Sequence, residues 1–359
     1  MTTYLLAGGG TAGHVNPLLS LADEISRSEP GSKVIALGTS EGLESHLVPA
    51  RGYELSIISR LPFPRKLNLY AVKFPWLFMS AVRKCQKLIR TRKIEIVVGF
   101  GGYASAPAYL AAKFAGVPLV IHEANALPGW ANKFGSSFAS AIGVAFRNTP
   151  LKNAKFVAMP LREEITTLSF PRDGKSARQY FGLDSEQTTL LVIGGSLGAK
   201  KINETVDAAR TVLRAAGIQV LHISGSRSDL EDLSEAGYRR IKYCDRMDLA
   251  ISASSFAVSR SGAATVSEFA AAGLPAVFVP YPVGNGEQEL NAAELVSGGG
   301  AVLVRDRDFT PEYISEKLIP LISNTKQINQ MASTARSIGV LDGTTRLFQL
   351  VQGVLQAKA

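Results

Sequence analysis

The chain of 359 residues contains only two cysteines, Cys85 and Cys244, and it has no Cys-x-x-Cys pair or cysteine–histidine cluster. Two cysteines cannot form a disulfide framework, and without such clusters there is no sequence pattern for a zinc site. The chain enters a predicted strand at once, without the positively charged region and apolar region that make up a signal peptide, so we expect no signal peptide. These absences favour a cytoplasmic protein without a bound metal.

Long apolar runs are absent as well. A helix that crosses a bilayer needs about 20 apolar residues. The longest candidate, residues 74–82, has nine residues and contains Pro75 and Ser80. We therefore expect no transmembrane segment, and the length of the chain predicts about two globular domains.

Acidic residues are missing from one part of the chain. Residues 55–94 carry ten basic side chains and no acidic one, and the net charge of +9 comes entirely from this segment. The segment also holds bulky apolar side chains, a combination typical of sites on anionic membrane surfaces. The alternative is a core helix with a solvated basic face; nucleic-acid binding is disfavoured because no recognition motif is present. The candidate membrane residues are Lys73, Trp76, Leu77, Phe78, Arg83 and Lys84.

A glycine-rich turn occurs twice, each time between a short apolar strand and a helix. It reads GGGTAGH at residues 8–14 and GGSLGA at residues 194–199. Glycine lets the backbone turn tightly and approach an anion, and the N-terminus of the following helix attracts phosphate. Two such turns predict two similar phosphate-binding domains that face each other across a cleft.

Predicted strands and helices alternate along the whole chain, with thirteen strands between residues 3–7 and 301–303. This alternation predicts an α/β fold with two Rossmann-like, doubly wound parallel-sheet domains. We expect the first domain at residues 1–162 and the second at 163–341, with a linker near 159–174. The last helix, about residues 342–359, is expected to pack back on the first domain.

Polar side chains follow the junctions at which ligands of such sheets bind. His14 follows the first turn, where it can act as a general base or hold the loop through a hydrogen bond. Glu268 lies one turn into a predicted helix and either binds a ribose diol or is a surface acid. The side-chain amide of Gln288 suits sugar hydroxyls; the alternative is that Gln288 is simply a residue at the start of a helix.

The DRD at residues 306–308 is formally a metal–diphosphate motif, but its position favours a charged turn.

The first turn also matches the dinucleotide fingerprint through Gly8, Gly10 and Gly13. A nicotinamide-binding domain would in addition place an acid at the end of the second strand. That strand ends in ALGT at residues 36–39, and Glu41 comes late. A nicotinamide-dependent oxidoreductase is therefore an alternative from another class of enzyme.

Taken together, the motifs resemble those of the MurG family, which transfers N-acetylglucosamine from UDP-GlcNAc to lipid I to give lipid II in peptidoglycan synthesis. The resemblance covers essentially the whole chain and is most specific in RSGAATVSE at residues 260–268, followed by AAGLP at 271–275. GFGGY at 99–103, HEAN at 122–125, Gln288 and Asn291 complete the set in the expected order.

The resemblance implies a GT-B fold with an inter-domain cleft and an inverting hexosyltransferase that needs no cofactor. Its partners would be UDP-GlcNAc, the undecaprenyl-pyrophosphate-linked MurNAc-pentapeptide and an anionic membrane surface, with no nucleic acid. The protein would be peripheral, on the cytoplasmic face of the cell membrane. Alternatives are another GT-B transferase with a different lipid or small-molecule acceptor, and a non-catalytic UDP-sugar sensor.

The resemblance also implies roles for individual residues. His14 is the candidate catalytic base, Glu268 would hold the ribose, and Cys244 would bind uracil through its backbone. The implied donor-binding residues are Thr11, Ala12, Gly13, Asn125, Arg162, Ser196, Cys244, Ala263, Ala264, Thr265, Val266, Ser267, Glu268 and Gln288. The implied acceptor and phosphate loops contain Gly9, Gly10, Gly101, Gly102 and Tyr103.

The chain departs from the family pattern at three places. Ala12 stands where many members have glycine, but it is small enough to leave the loop intact. Ala124 stands where many have glutamine, which removes one amide near the sugar. Ala158 and Met159 replace the glycine and asparagine that usually precede the proline before Arg162.

Overall fold

The computed structural model describes residues 1–64, 68–170 and 172–358. Arg65 and Lys66 of the basic segment, and Pro171 of the expected linker, lie outside the described residues. The chain divides into two compact units. Unit 1 consists of residues 1–162 and the last segment from residue 342, and unit 2 consists of residues 163–341.

Each unit is built on one seven-stranded sheet. The strands of unit 1 are β1 (Thr3–Ala7), β2 (Lys33–Gly38), β3 (Glu54–Ile57), β4 (Ile96–Gly99), β5 (Leu119–Glu123), β6 (Ala141–Val144) and β7 (Lys155–Phe156). The strands of unit 2 are β8 (Thr188–Ile193), β9 (Ile218–Ile223), β10 (Leu233–Glu235), β11 (Tyr238–Ile241), β12 (Phe256–Ser259), β13 (Ala276–Phe278) and β14 (Ala301–Leu303).

Helices connect these strands. Unit 1 begins with α1 (Ala12–Ser28), α2 (Glu44–Ala50), α3 (Leu69–Thr91), α4 (Ser105–Ala115) and α5 (Trp130–Ser136). Unit 2 contains α6 (Glu163–Thr166), α7 (Gly174–Tyr180), α8 (Lys200–Ala208), α9 (Arg210–Ala215), α10 (Met247–Ala253), α11 (Ala263–Ala272), α12 (Glu287–Ser297), α13 (Pro311–Tyr313), α14 (Ile319–Ser323) and α15 (Thr325–Ile338). A 3-10 turn (Asp306–Asp308) precedes α13, a π-helical segment (Ile314–Leu318) joins α13 to α14, and α16 (Gly343–Gln356) returns to unit 1.

The strand order is β3-β2-β1-β4-β5-β6-β7 in unit 1 and β10-β11-β9-β8-β12-β13-β14 in unit 2. In unit 1, β1 lies between β2 and β4, and in unit 2, β8 lies between β9 and β12. The chain therefore adds strands first on one side of the starting strand and then on the other, which is the doubly wound order. The two sheets confirm the predicted pair of Rossmann-like domains. Sequence reasoning missed β10, a three-residue strand that pairs antiparallel to β11, because so short a polar segment carries no strand pattern.

The sheet of unit 1 is covered on both faces, so its strands are apolar at successive positions. Leu5 and Val97 pack in a cluster with Val82 and Tyr109, from α3 and α4. The alternate residues of the strands, such as Leu6, pack in a second cluster that includes side chains from α1 and α16. Because side chains alternate across a strand, one short run of apolar residues supplies both cores.

The last helix, α16, is held to unit 1 by buried apolar and polar contacts. Leu347 and Val351 are fully buried. Gln352 Nε2 donates to the hydroxyl of Tyr4 at 2.8 Å. A Cβ on Gly343 would lie 2.3 Å from the carbonyl oxygen of Met159, so this helix begins in direct contact with the backbone of unit 1.

The packing of α16 predicts that Leu347→Ala lowers the free energy of unfolding of unit 1 by about 2–5 kcal/mol, because it empties a buried site. Both tryptophans, Trp76 and Trp130, lie in unit 1, so tryptophan fluorescence during urea unfolding reports on this unit alone. The control Gln349→Ala changes an exposed residue of the same helix and should shift stability by less than about 0.5 kcal/mol. Equal urea midpoints for both variants would contradict a stabilising role of α16.

Candidate active site

In unit 1, two glycine loops meet where β1 and β4 lie side by side. Ala7 and Gly99 are paired at the ends of these strands, so the chain leaves both strands at the same edge. Gly102 has a φ of 87°, and a Cβ there would lie 2.4 Å from the carbonyl oxygen of Gly9. Only glycine allows the two loops to touch. Strand order thus brings the predicted loop residues Gly9, Gly10, Gly101 and Gly102 together.

His14 lies in the first turn of α1 and contacts both loops. Its Nδ1 lies 3.1 Å from the carbonyl oxygen of Gly9. Because a carbonyl oxygen can only accept, Nδ1 carries the hydrogen and Nε2 keeps a lone pair. A Cβ on Gly101 would lie 3.3 Å from Nε2, so this nitrogen lies against the second loop. His14 therefore holds the loop and also presents a proton acceptor.

The pKa of His14 is lowered, because burial disfavours the charged ring. The negative charges of Glu123 and Glu44 act in the opposite direction, as does the hydrogen bond to Gly9. Burial prevails, so the ring is neutral near neutral pH. If the ring takes a proton, the two carboxylates stabilise the positive charge that forms.

A cavity of about 210 Å³ opens beside His14. Its polar lining residues are Glu123, Asn125 and Asn132, together with His14. Its aromatic lining residues include Phe63, Phe74, Phe78 and Trp130. The rings of Phe63 and Trp130 lie 4.7 Å apart between centroids, and those of Phe63 and Phe74 lie 5.7 Å apart. Such a cavity can take a molecule with a polar group joined to an apolar one.

Sequence reasoning missed two polar residues of this cavity, Glu123 and Asn132. Glu123 is only 2% exposed. One carboxylate oxygen accepts from the backbone N–H of Asn125 at 2.8 Å, and the other accepts from the N–H of Gly129 at 3.0 Å and Asn132 Nδ2 at 2.8 Å. Asn132 in turn accepts from the hydroxyl of Tyr109 at 2.7 Å. The sequence did contain a signal for Glu123, because it is an acidic residue at the carboxyl end of a predicted strand.

The remaining residues predicted near this site lie in different surroundings. Asn125 lines the cavity and bonds Glu123, whereas Tyr103 is exposed at its rim, with the guanidinium of Arg60 over its ring at 4.7 Å. His122 is fully buried, with Nε2 3.0 Å from the carbonyl oxygen of Ala158. Burial lowers the pKa of His122 to about 4, which keeps it neutral.

Residues 69–91 of the basic apolar segment form α3, and the two ends of this helix differ. Towards the C-terminus Val82, Cys85 and Ile89 are buried in the core of unit 1. Towards the N-terminus Trp76 and Leu77 are exposed, Trp76 by 71%, whereas the predicted membrane residue Phe78 is half-buried and lines the cavity. The predicted cations Lys73, Arg83 and Lys84 are exposed. Within the described part of the chain, no helix is long and apolar enough to cross a membrane.

In unit 2 the second glycine turn lies beside the loop that follows β9. A Cβ on Gly225 would lie 2.1 Å from the backbone nitrogen of Gly198, and both residues have φ above 90°. The carbonyl oxygen of Ser196 accepts from the backbone N–H and the hydroxyl of Ser226, each at 3.0 Å. Ser196 is therefore held at a partly exposed turn.

The helix α11 begins at the end of β12, the neighbour of β8 in the sheet. Gly262 precedes it and offers no capping side chain, so the N–H groups of Ala263, Ala264 and Thr265 point out of the helix end. Such an end attracts phosphate oxygens. Glu268 follows one turn later and is mostly buried, and Val266 and Ser267 lie between. The predicted donor-binding residues from Ala263 to Glu268 thus share one helix start.

Side chains of α12 complete this edge of unit 2. Gln288 Oε1 accepts from the backbone N–H of Tyr281 at 2.9 Å, which leaves its amide nitrogen to donate elsewhere. Asn291 Nδ2 donates to the carbonyl oxygen of Ser261 at 3.2 Å, so α12 is tied to the loop before α11. Two further predicted donor-binding residues belong to different units. Cys244 is buried in the loop after β11 of unit 2. Arg162 is the residue at which the chain leaves unit 1 for unit 2.

The DRD sequence forms the 3-10 turn at Asp306–Asp308. Asp306 makes an ion pair with Arg260 Nη1 at 2.5 Å. Arg260 also donates to the carbonyl oxygens of Val279 and Pro280, at 3.0 and 2.9 Å. The turn therefore fixes the position of Arg260, which stands just before the loop that leads into α11. Among the described residues, no group of three or more His, Cys, Asp or Glu side chains could hold a metal ion.

Two Rossmann-like, doubly wound parallel-sheet units are the architecture of the GT-B glycosyltransferases. The calicheamicin glycosyltransferase CalG4 has this fold, with a TM-score of 0.70 at 16% identity over 100% of both chains. Residues 4–144 match the N-terminal domain of glycosyltransferase family 28, and residues 189–347 match its C-terminal domain. The chain belongs to glycosyltransferase family 28.

Curated relatives and a crystal structure match the chain over nearly its full length. A curated protein of Leifsonia xyli subsp. xyli is 54% identical over 99% of this chain and 100% of its own, and one of Clavibacter sepedonicus is 50% identical over 100% and 98%. Both are named UDP-N-acetylglucosamine–N-acetylmuramyl-(pentapeptide) pyrophosphoryl-undecaprenol N-acetylglucosamine transferase. The crystal structure of Acinetobacter baumannii MurG superposes with a TM-score of 0.78 at 27% identity, over 98% of this chain and 100% of that one. These findings confirm the resemblance to the MurG family.

The surroundings of His14 predict that its imidazole titrates below the usual value of about 6.5. In Glu123→Gln the pKa should fall further, because a negative charge that favours the protonated ring is lost. Imidazole NMR titration of the protein and of both variants measures this, with His14→Gln to assign the signal among the four histidines. A His14 signal that titrates above 6.5, or that rises in Glu123→Gln, would contradict the balance described.

Proposed function

We propose that the protein transfers N-acetylglucosamine from UDP-GlcNAc to the C4 hydroxyl of undecaprenyl-pyrophosphate-linked MurNAc-pentapeptide, which converts lipid I to lipid II. The observation that carries the proposal is the similarity over the full length to curated relatives of this name, at 50–54% identity. The separate sites of the two units support it, because each suits one of the two substrates.

Unit 2 is assigned to the donor. The start of α11 and the turn at Ser196 offer N–H groups to the diphosphate, and Glu268 offers a carboxylate to the ribose diol. Gln288 keeps an amide nitrogen for a hydroxyl of the sugar, since its oxygen is bonded to Tyr281. The backbone at Cys244 is assigned to uracil.

Unit 1 is assigned to the acceptor and to the reacting sugar. The polar lining residues of its cavity, among them His14 and Asn125, suit the sugar and its hydroxyls. The Gly10 N–H donates to Glu44 at 2.7 Å, so it is engaged within the protein. The residues Thr11, Ala12 and Gly13, which the resemblance places among the donor-binding residues, are therefore assigned to face both the reacting GlcNAc and the acceptor pyrophosphate. The loop at Gly101, Gly102 and Tyr103 is assigned to the acceptor pyrophosphate.

The reaction is a direct displacement. The C4 hydroxyl oxygen of MurNAc attacks C1 of GlcNAc while the bond from C1 to the β-phosphate oxygen breaks, so that the electron pair leaves with UDP and the configuration at C1 inverts. His14 Nε2 takes the hydroxyl proton. Negative charge grows on the β-phosphate, and the helix start at Ala263 stabilises it. These residues supply positive potential to the leaving group and a base to the nucleophile.

We expect the protein to release UDP and form lipid II when it is given lipid I, and to leave a simple glycoside unchanged. His14→Ala should lower kcat by about 10²- to 10⁴-fold, because the general base is lost, while the Kd of UDP changes by less than about twofold. The control His46→Ala replaces an exposed histidine of the same unit and should keep wild-type turnover.

The same assay separates the alternatives. Transfer to the simple glycoside alone would favour a different acceptor class, and UDP binding without any transfer would favour a sensor. NADH binding without a thermal shift from UDP would favour an oxidoreductase. Near-normal turnover of His14→Ala would remove His14 from the role of base.

We also infer that the protein docks on the anionic cytoplasmic face of the cell membrane through α3, whose N-terminal end exposes apolar side chains. The undecaprenyl chain of the proposed acceptor is apolar and resides in the bilayer, so the enzyme must work at its surface. Exposed Trp76 and Leu77 can enter the interface, and Lys73, Arg83 and Lys84 can meet anionic headgroups. No nucleic-acid partner is assigned to these cations.

The docking proposal predicts that the double variant Trp76→Ser/Leu77→Ser binds phosphatidylglycerol vesicles about tenfold or more weakly, because two apolar side chains no longer enter the interface. Vesicle co-sedimentation measures the change. The matched control Val212→Ser replaces an exposed apolar residue of unit 2 and should bind like the wild type. Unchanged binding of the double variant, or no dependence on anionic lipid, would contradict docking through α3.

A further inference from the structure

Glu44, the first residue of α2, is 1% exposed although its side chain is a carboxylate, and the proposed reaction does not use it. One oxygen accepts from the backbone N–H of Gly10 at 2.7 Å. The other accepts from the N–H of Thr39 at 2.8 Å and from its hydroxyl at 2.9 Å. A buried carboxylate is costly unless such donors satisfy it. The side chain thus joins the end of β2 to the first glycine loop.

Three glycines make room for this carboxylate. A Cβ on Gly9 or Gly38 would lie 2.3 Å from an atom of Glu44, and a Cβ on Gly42 would lie 2.0 Å from one. At each position the three nearest atoms all belong to Glu44. None of these glycines has a positive φ, so backbone conformation does not require them. Glu44 requires them, including Gly9 of the repeated turn.

Glu44 and His14 lie on opposite sides of one peptide group. The peptide between Gly9 and Gly10 donates its N–H to Glu44, and its carbonyl oxygen faces His14 Nδ1 at 3.1 Å. In a trans peptide these two groups point in opposite directions. A donor bonded to a carboxylate also polarises its own carbonyl, which strengthens the second hydrogen bond.

We propose that Glu44 is a positioning residue for the transfer, which acts through the peptide between Gly9 and Gly10. It orients the ring of His14 and fixes the tautomer with hydrogen on Nδ1, so that Nε2 is the proton acceptor. This inference rests on the proposed function in one respect, because His14 must be the base for the transfer rate to respond.

The groups that act electrically on His14 come from two elements. Glu44 lies on α2, and Glu123 and His122 lie on β5. Loss of the charge at Glu44 removes one of the two negative charges that raise the pKa of His14, and burial continues to lower it. The acid limb of the pH profile of kcat should therefore move to lower pH when Glu44 is neutral.

Glu44→Gln keeps the size of the side chain but places an amide NH₂ against either the Gly10 N–H or the Thr39 N–H. We expect kcat to fall by about 10- to 100-fold, because a small displacement of a catalytic group costs this much. The Kd of UDP should change by less than about twofold. The matched control is Glu24→Gln, a buried carboxylate of α1 that bonds Arg27 and Ser28, and it should keep kcat and the pH profile.

Gly42→Ala gives a second test that leaves residues 8–14 unchanged. Its methyl group would displace the Glu44 carboxylate, so kcat should fall in Gly42→Ala as it does in Glu44→Gln. The single variant Glu44→Asp keeps the negative charge, so it should retain more activity than Glu44→Gln. Tryptophan fluorescence, from Trp76 and Trp130, checks that unit 1 of each variant is folded.

NMR of the His14 ring nitrogens provides a readout that does not depend on turnover. We expect a single Nδ1–H tautomer in the wild type and a mixture with a lower pKa in Glu44→Gln. If the wild type transfers no sugar but the ring responds in this way, the proposed function fails and the link from Glu44 to His14 stands. Wild-type kcat together with an unchanged tautomer in Glu44→Gln would overturn the inference.

Discussion

The close contact of backbone loops at the carboxyl ends of neighbouring strands is the constraint on which both sites depend. In unit 1 a side chain on Gly102 would collide with the carbonyl of Gly9, and in unit 2 one on Gly225 would collide with the backbone of Gly198. Because glycine removes these collisions, segments far apart in the chain share a small volume. His14, the cavity beside it and the turn at Ser196 all take their positions from these contacts.

Charge around His14 is balanced between burial and two carboxylates. Burial lowers the pKa of the ring and keeps it able to accept a proton, whereas Glu44 and Glu123 favour the charged form that results. Each carboxylate is satisfied by backbone N–H groups, so neither needs a buried cation as a partner. The imidazole is thus uncharged near neutral pH, and the carboxylates that act on it are themselves hydrogen-bonded to the backbone.

The two units share one topology but differ in chemistry. The site of unit 1 joins a histidine and carboxylates to an aromatic cavity, which suits an acceptor with polar and apolar parts. The edge of unit 2 offers the start of α11 and amide side chains, which suit a nucleotide sugar. The proposed acceptor and donor sites therefore rest on one strand order, because it is the loops and not the sheets that differ between the two units.

The sequence by itself determined the fold class, the two-unit organisation and the order of the glycine motifs, because strand and helix patterns and glycine turns are local properties. It also pointed to His14 and Glu268, which stand inside such motifs. Only the tertiary structure decided that Glu123 and Glu44 act on His14, that Phe78 lines the cavity, and that Asp306 pairs with Arg260. The strand order makes neighbours of residues that are distant in the chain, and no local pattern contains that information.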